Sequence, residues 1–393
     1  MQKKLIALAV AGLAAVPAIA ADSSVTLYGL VDMGYSWRGD NYNSAKQSRS
    51  GFDSGQMKGT RLGVRGAEEL SPGFNAIFTL EAGIAADTGN QNQGRPWGRQ
   101  TFAGFDIQGA KLTMGHQYAP QFNMYAAYEP FGLGSVAEAW NIMSHVEGRV
   151  QNGIELNTRF YGDDSFGFAF DGMYSLGSPQ GDGAPQPETG QNGEDTRFVS
   201  LFPKVKFGPA TLMAGYTQWK TKGAEKNNNA VDVGLNLDFK VVQIFGAYAR
   251  YNNGARGKDP IAVYNNSTGD FITDKVKFNR WFLGGKVPLG NFKLLASYAY
   301  SKDKNDLNMK AQQFGFGGTY SFSKRTDLYA VFSRIVTSDG INNPIGNYYW
   351  RPGVGDATNY TPSPNNNTGL DNGAAGTGAG YRSGLSLGMM HSF

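Results

Sequence analysis

The chain has no cysteine among its 393 residues, which excludes a disulfide framework and a lipoprotein anchored through an N-terminal cysteine. Charge of one sign is also missing. Lysine and arginine number 36 against 32 acidic residues, and so near a balance argues against nucleic acid as a partner. Histidine is scarce: His116, His145 and His391 stand in no nucleophile, base and orienting-acid arrangement, so no catalytic residue is expected. Metal-ligand spacing is lacking too. Asp182 and Asp371 lie in Gly- and Asn-rich stretches that read as solvated turns, and neither a metal nor a cofactor is expected. Finally, beyond residue 20 no segment approaches the ~20 consecutive apolar residues that a membrane helix needs.

The first 20 residues are of another kind. Lys3 and Lys4 precede an apolar run at 5–16 and a small-residue site, Ala18-Ile19-Ala20, the pattern of a secretory signal with cleavage expected after Ala20. Residues 21–393 are expected to form one domain. Mean hydropathy is negative, but a membrane-spanning strand needs only ~9–11 residues that are apolar on alternate positions, so the average decides nothing.

The period does decide. In Val231-Asp232-Val233-Gly234-Leu235-Asn236-Leu237-Asp238-Phe239 every odd position is apolar and every even one is polar or Gly, the mark of a strand with a different solvent on each face. Arg149 to Tyr161 alternates likewise, with Val150, Ile154, Leu156 and Phe160 expected outward and Arg149, Gln151, Glu155, Asn157 and Arg159 on the other face. The runs through Phe166, Leu294 and Phe314 behave in the same way. Tight links of turn-forming composition, such as Ser71-Pro72-Gly73, Gln108-Gly109 and Gly290-Asn291, take turns with long Asn-, Gly- and Ser-rich ones. A further tight turn is expected at Phe239-Lys240, where no Gly or Pro marks it. Eight long and seven short connections join sixteen strands. An even number of strands, short turns at one rim and long loops at the other predict a 16-stranded antiparallel transmembrane β-barrel. A water-soluble β-sandwich would need a polar face outward and would tolerate the Gly and Tyr content, but it would not explain so many long aromatic strands with so few runs buried on both sides. Val25, Leu27, Val31, Met33 and Trp37 give the first strand one apolar face, and Tyr381, Leu385, Leu387, Met389 and Phe393 give one to the last. The two are expected to pair and close the wall at Phe393, because an open edge in lipid is costly. Pro203 lacks a ladder donor and is expected to mark a bulge or a shortened strand.

One long connection does not fit the rest. Residues 119–146 are rich in Met124, Tyr125, Tyr128, Phe131, Leu133, Val136, Trp140, Ile142 and Met143, too apolar and aromatic for a disordered loop. A barrel of this size encloses an aqueous channel, so the stretch is expected to fold inside and form a constriction. Glu129-Pro130-Phe131-Gly132 suits a turn, and 135–143 a short helix capped by Ser135. On the second strand Arg61, Gly63 and Arg65 share a face, and the parity points Arg99 and Arg149 the same way. These arginines, facing Glu129 and Glu138 on the loop, would set a transverse field across the passage. The competing reading leaves them as solvated residues paired with Glu68, Glu69, Glu81 or Glu155. Tyr28, Tyr35, Trp37, Trp219, Tyr248, Trp281, Tyr298 and Tyr329 are expected to lie mostly in interfacial girdles or a subunit contact, with a sugar-stacking path as the alternative.

Several segments together resemble a known family. Val25-Thr26-Leu27-Tyr28-Gly29, Thr60-Arg61-Leu62-Gly63-Val64-Arg65-Gly66, Arg99-Gln100-Thr101-Phe102-Ala103-Gly104-Phe105, Glu129-Pro130-Phe131-Gly132 and the terminal His391-Ser392-Phe393 look like the Gram-negative general porins, the betaproteobacterial branch in particular. The resemblance implies a homotrimer of 16-stranded barrels in outer membrane lipid, each with its own pore narrowed by the third loop. Ions and small hydrophilic solutes would cross passively. It further implies that Arg61, Arg99 and Arg149 lie at the constriction with Arg65 and Arg38 as neighbours, and that anions are preferred, as in several members. The third loop here carries few acids and the last loop, 337–379, is long. A substrate-specific channel for a sugar, phosphate or dicarboxylate therefore stays open as the alternative.

Overall fold

The computed structural model describes residues 23–41, 48–143, 148–163, 165–176, 197–220, 227–252, 263–265, 270–272, 277–304, 310–337 and 381–393. The expected signal at 1–20, His145, Asp182, Asp371 and residues 338–379 lie outside them. Sixteen strands form the wall: β1 Ser23–Asn41, β2 Arg61–Ser71, β3 Phe74–Gly83, β4 Gln100–Ile107, β5 Ala110–Tyr118, β6 Arg149–Thr158, β7 Phe166–Ser175, β8 Phe198–Phe207, β9 Ala210–Trp219, β10 Asn228–Asp238, β11 Gln243–Asn252, β12 Lys277–Leu289, β13 Phe292–Asp303, β14 Lys310–Ser321, β15 Thr326–Thr337 and β16 Tyr381–Ser392. Each is antiparallel to the next, and β1 pairs with β16 from Leu30↔Ser392 to Asn41↔Tyr381. The wall closes on itself, and no ladder edge is left to face lipid.

Alternation supplies the two faces. On β10, Val231, Val233 and Leu235 are exposed outward, whereas Asp232 between them is fully buried. Outward rings meet across strands at tilted angles: Tyr248 and Trp281 with centroids 5.6 Å apart, and Trp281 and Tyr300 at 5.5 Å. The Phe239-Lys240 turn is present, with Lys240 at φ +65° and its amide donating to Asp238 Oδ1 at 2.8 Å.

Three expectations need correction. Pro203 neither shortens β8 nor bulges it. It pairs with Phe170 of β7 in register, and on the β9 side the ladder passes from Leu201↔Tyr216 to Lys204↔Met213 without a shift; the missing donor leaves a gap, not a kink. Val150 faces inward and is fully buried, because an extra residue sits opposite His116, between Gly115↔Gly153 and Gln117↔Val150, with Asn152 at φ +49°. The inserted residue reverses the facing of Val150. The third correction concerns the aromatics. Tyr28, Trp219 and Tyr329 point inward, where Tyr28 reaches Glu81, Trp219 stacks on Tyr251 at 5.7 Å and Tyr329 reaches Asp32.

Part of what reads as the first long loop also belongs to the wall. Arg49–Ser54 pairs with Met33–Arg38 of β1, and β2 then pairs with Ser23–Leu30. Between them, residues 55–60 leave the ladder and fold over Asp32, whose Oδ2 accepts the amides of Met57 and Lys58 at 2.7 Å each. Together with the Tyr329 hydroxyl on Oδ1, those bonds satisfy a buried carboxylate.

Candidate pore constriction

The apolar stretch after β5 lies inside the barrel. It opens with α1, Pro120–Ala127, started by Pro120 at a position where a helix has no use for the amide, and later forms α2, Trp140–Met143. The expected helix from Ser135 is thus shorter and starts later. Ser135 Oγ accepts the Ala137 amide at 3.1 Å and closes a turn instead of capping a helix.

The loop is held by burial and by a few polar clamps. Met124, Phe131, Ile142 and Met143 are almost wholly buried, each contributing about 1.5–3 kcal/mol relative to exposure. Met124, Tyr125, Tyr128 and Trp140 join a cluster with Phe198, Phe202, Met213, Phe245 and Phe282 of the wall. Inward glycines make the room. A Cβ on Gly234 would approach Tyr128 to 3.1 Å, one on Gly284 would come within 2.9 Å of Pro130, and one on Gly315 within 2.7 Å of Ala137. Asp232 accepts from Gln121 at 3.2 Å and from the Tyr125 hydroxyl at 3.1 Å. Arg280 donates to the Met143 carbonyl, and Gln313 to that of Glu138, both at 3.1 Å. Asp232, Arg280 and Gln313 escaped the sequence reading; their only signal was a polar residue on a face shared with glycine. The loop tip rests on the 55–60 segment, where Lys58 bridges Gly134, and Phe131, Val136 and Ala137 pack with Met57, Tyr329 and Val331.

The loop therefore covers the β8–β14 wall and the seam, and the space beside β1–β5 stays open. A cavity of about 530 Å³ there is lined by Tyr28, Arg61, Arg65, Thr79, Glu81, Gln100 and Tyr118. A second, of about 360 Å³, shares Arg65, Thr79 and Gln100 and continues past Lys111, Asn123 and Glu155. Arg99 is buried and donates from Nε to Glu81 Oε1 at 2.7 Å, and Arg61 Nε lies 3.9 Å from Glu81 Oε2. The Tyr28 hydroxyl donates to the same carboxylate at 2.9 Å, and Arg65 lies over the Tyr28 ring at 5.3 Å. Arg149 lies over the Tyr118 ring at 4.8 Å, so two guanidinium groups meet Glu81 directly and two more stand on the tyrosines beside it.

Not every expected member joins them. Arg38 is buried higher on β1, where Gly384 faces both its guanidinium and Val136. Glu129 and Glu138, expected to face the arginines across the passage, are each tied to a backbone amide of their own loop. Glu129 accepts the Ala139 amide at 3.0 Å and Glu138 the Gly134 amide at 2.6 Å, so both carboxylates brace the loop from within. The acid that meets Arg61 and Arg99 is Glu81, as the competing reading had it. Phe393 exchanges both backbone hydrogen bonds with Gly29 at 3.2 Å. Of the histidines, His116 Nε2 lies 2.9 Å from the Gly98 carbonyl and His391 Nδ1 2.9 Å from the Thr326 hydroxyl.

Known proteins share this architecture. An outer membrane porin protein of Bordetella pertussis is 29% identical over 369 residues, covering 85% of this chain and 94% of its own. Outer membrane porin protein 32 of Delftia acidovorans is 27% identical, covering 86% and 91%. Among solved structures, an anion-selective porin from Comamonas acidovorans superposes with a TM-score of 0.64 at 21% identity, over 95% of this chain and all of that one. The trimer form of in-vitro folded OmpT from Vibrio cholerae gives 0.60 at 12% identity, over 94% and 99%. These two carry the fold alone. The family model described as Gram-negative porin matches residues 7–340, and the chain belongs to that family.

Proposed function

We propose that this outer-membrane porin, a passive pore for ions and small hydrophilic solutes, prefers anions, and that Arg61, Arg65, Arg99 and Arg149 carry the preference. The observation behind this reading is that Arg61 and Arg99 both meet the carboxylate of Glu81 beside the open cavity, with Arg65 lining that cavity and Arg149 next to Arg99 on Tyr118. Guanidinium stays charged at any relevant pH, and in a narrow passage with low-dielectric walls fixed charge concentrates the opposite ion. The relative named as anion-selective supports the same reading. Reconstituted protein in a KCl gradient should give a zero-current potential on the chloride side; a potential on the potassium side would reject it.

The barrels assemble as a homotrimer in outer membrane lipid, with residues 1–20 removed on export. The apolar outer face and the trimer form of the Vibrio cholerae neighbour support the assembly. Unboiled samples should migrate on gels as a trimer and boiled ones as a monomer, and a monomer at every temperature would contradict it.

A further inference from the structure

Two of the arginines converge on a side chain that carries no charge. Arg99 Nη2 donates to the Tyr118 hydroxyl at 2.5 Å and Arg149 Nη2 donates to the same oxygen at 3.3 Å. Both guanidinium carbons also lie within reach of the ring, at 6.0 Å and 4.8 Å from its centroid, which is cation–π distance. Like charges repel, most strongly where water is scarce, so two such groups side by side need an electron-rich neighbour between them.

The same ring is bound to the constriction loop. Tyr118 stacks on Phe122 of α1 with centroids 4.5 Å apart and planes at 6°. Phe122 meets Trp140 edge-on at 5.4 Å, and Trp140 meets Tyr125 at 5.8 Å. Tyr125 ends the series on Asp232. A row of four aromatic rings thus runs from the arginine pair through the loop to the far wall.

We propose that Tyr118 is a positioning residue for ion selectivity. Its hydroxyl and ring hold Arg99 and Arg149 together at the passage, and its stack on Phe122 sets where the loop stands relative to them. The proposal rests on the anion-preferring reading above. It assigns to a neutral side chain part of an effect otherwise credited to charge.

The test compares zero-current potentials in a KCl gradient for wild type, Tyr118→Phe, Arg149→Gln, the double variant and Phe122→Leu, each checked for native gel mobility. Tyr118→Phe keeps the ring and every charge, and should lower the chloride-to-potassium permeability ratio about two- to three-fold, the scale of one weak hydrogen bond. Adding Tyr118→Phe to Arg149→Gln should change the ratio less than it does in wild type, because the two act as a unit. Phe122→Leu leaves the hydroxyl in place and should shift the ratio in the same direction; it decides the matter if Tyr118→Phe does not fold. Anion-selective wild type with unchanged ratios in folded Tyr118→Phe and Phe122→Leu overturns the role of Tyr118 and leaves the anion reading standing. A wild type without anion preference overturns both.

Discussion

Glu81 serves two arginines at once, with Oε1 2.7 Å from Arg99 Nε and Oε2 on Arg61. A carboxylate in that place holds the guanidinium groups in position and also subtracts from their field. Glu81→Gln keeps the shape and one acceptor while removing the charge. It should raise the chloride-to-potassium permeability ratio about two-fold, read as a zero-current potential in a KCl gradient; an unchanged ratio would mean that Glu81 lies outside the ion path.

The opposite change has a larger effect. Replacing Arg61 and Arg99 together with glutamine should move the potential toward potassium, by about five-fold in permeability ratio at low salt and less at high salt, where screening is stronger. If the double variant retains wild-type selectivity at both salt levels, the arginine group is not the filter.

The loop narrows the passage because the wall makes space for it. Gly315→Val should place a methyl group against Ala137, where even a Cβ comes within 2.7 Å, costing about 1–3 kcal/mol of packing and moving the loop off the wall. Single-channel conductance should change while the strands still form. Deleting residues 125–140 should raise conductance outright, and an unaltered value would put the loop outside the lumen.

Closure depends on a buried bond as well as on the ladder. The Tyr329 hydroxyl donates to Asp32 Oδ1 at 2.6 Å, beside the closing seam. Tyr329→Phe removes the donor and leaves a buried acceptor short of a partner, worth about 1–3 kcal/mol. The temperature at which the folded form converts to unfolded chain on gels should fall, and it should fall further in Asp32→Ala, which also releases the Met57 and Lys58 amides.

The architecture was legible because a barrel in lipid writes its two solvents into every second residue, as in Val231 to Phe239. The register inside the lumen was not. Val150 was misplaced because an inserted residue at 152 leaves no compositional trace, and Tyr28, Trp219 and Tyr329 because a ring with a polar tip suits either face. Parity pointed to Arg61, Arg65 and Arg99, whereas their acid stood only as one of four candidates: Glu81 meets Arg99 after the chain turns back through 84–98. Glu129 and Glu138 show the converse error. Their charge suggested the passage, yet backbone amides within the loop claim both carboxylates.

Residues from both ends of the chain finish the ledge on which the obstruction rests. Met57 and its neighbours hang from Asp32 near one terminus, and Tyr329, Val331 and Met390 come from the other. Until the first and last strands meet, that ledge is missing and the plug has only the β8–β14 wall to settle against. Sealing the cylinder therefore also completes the seat that fixes the channel's gauge.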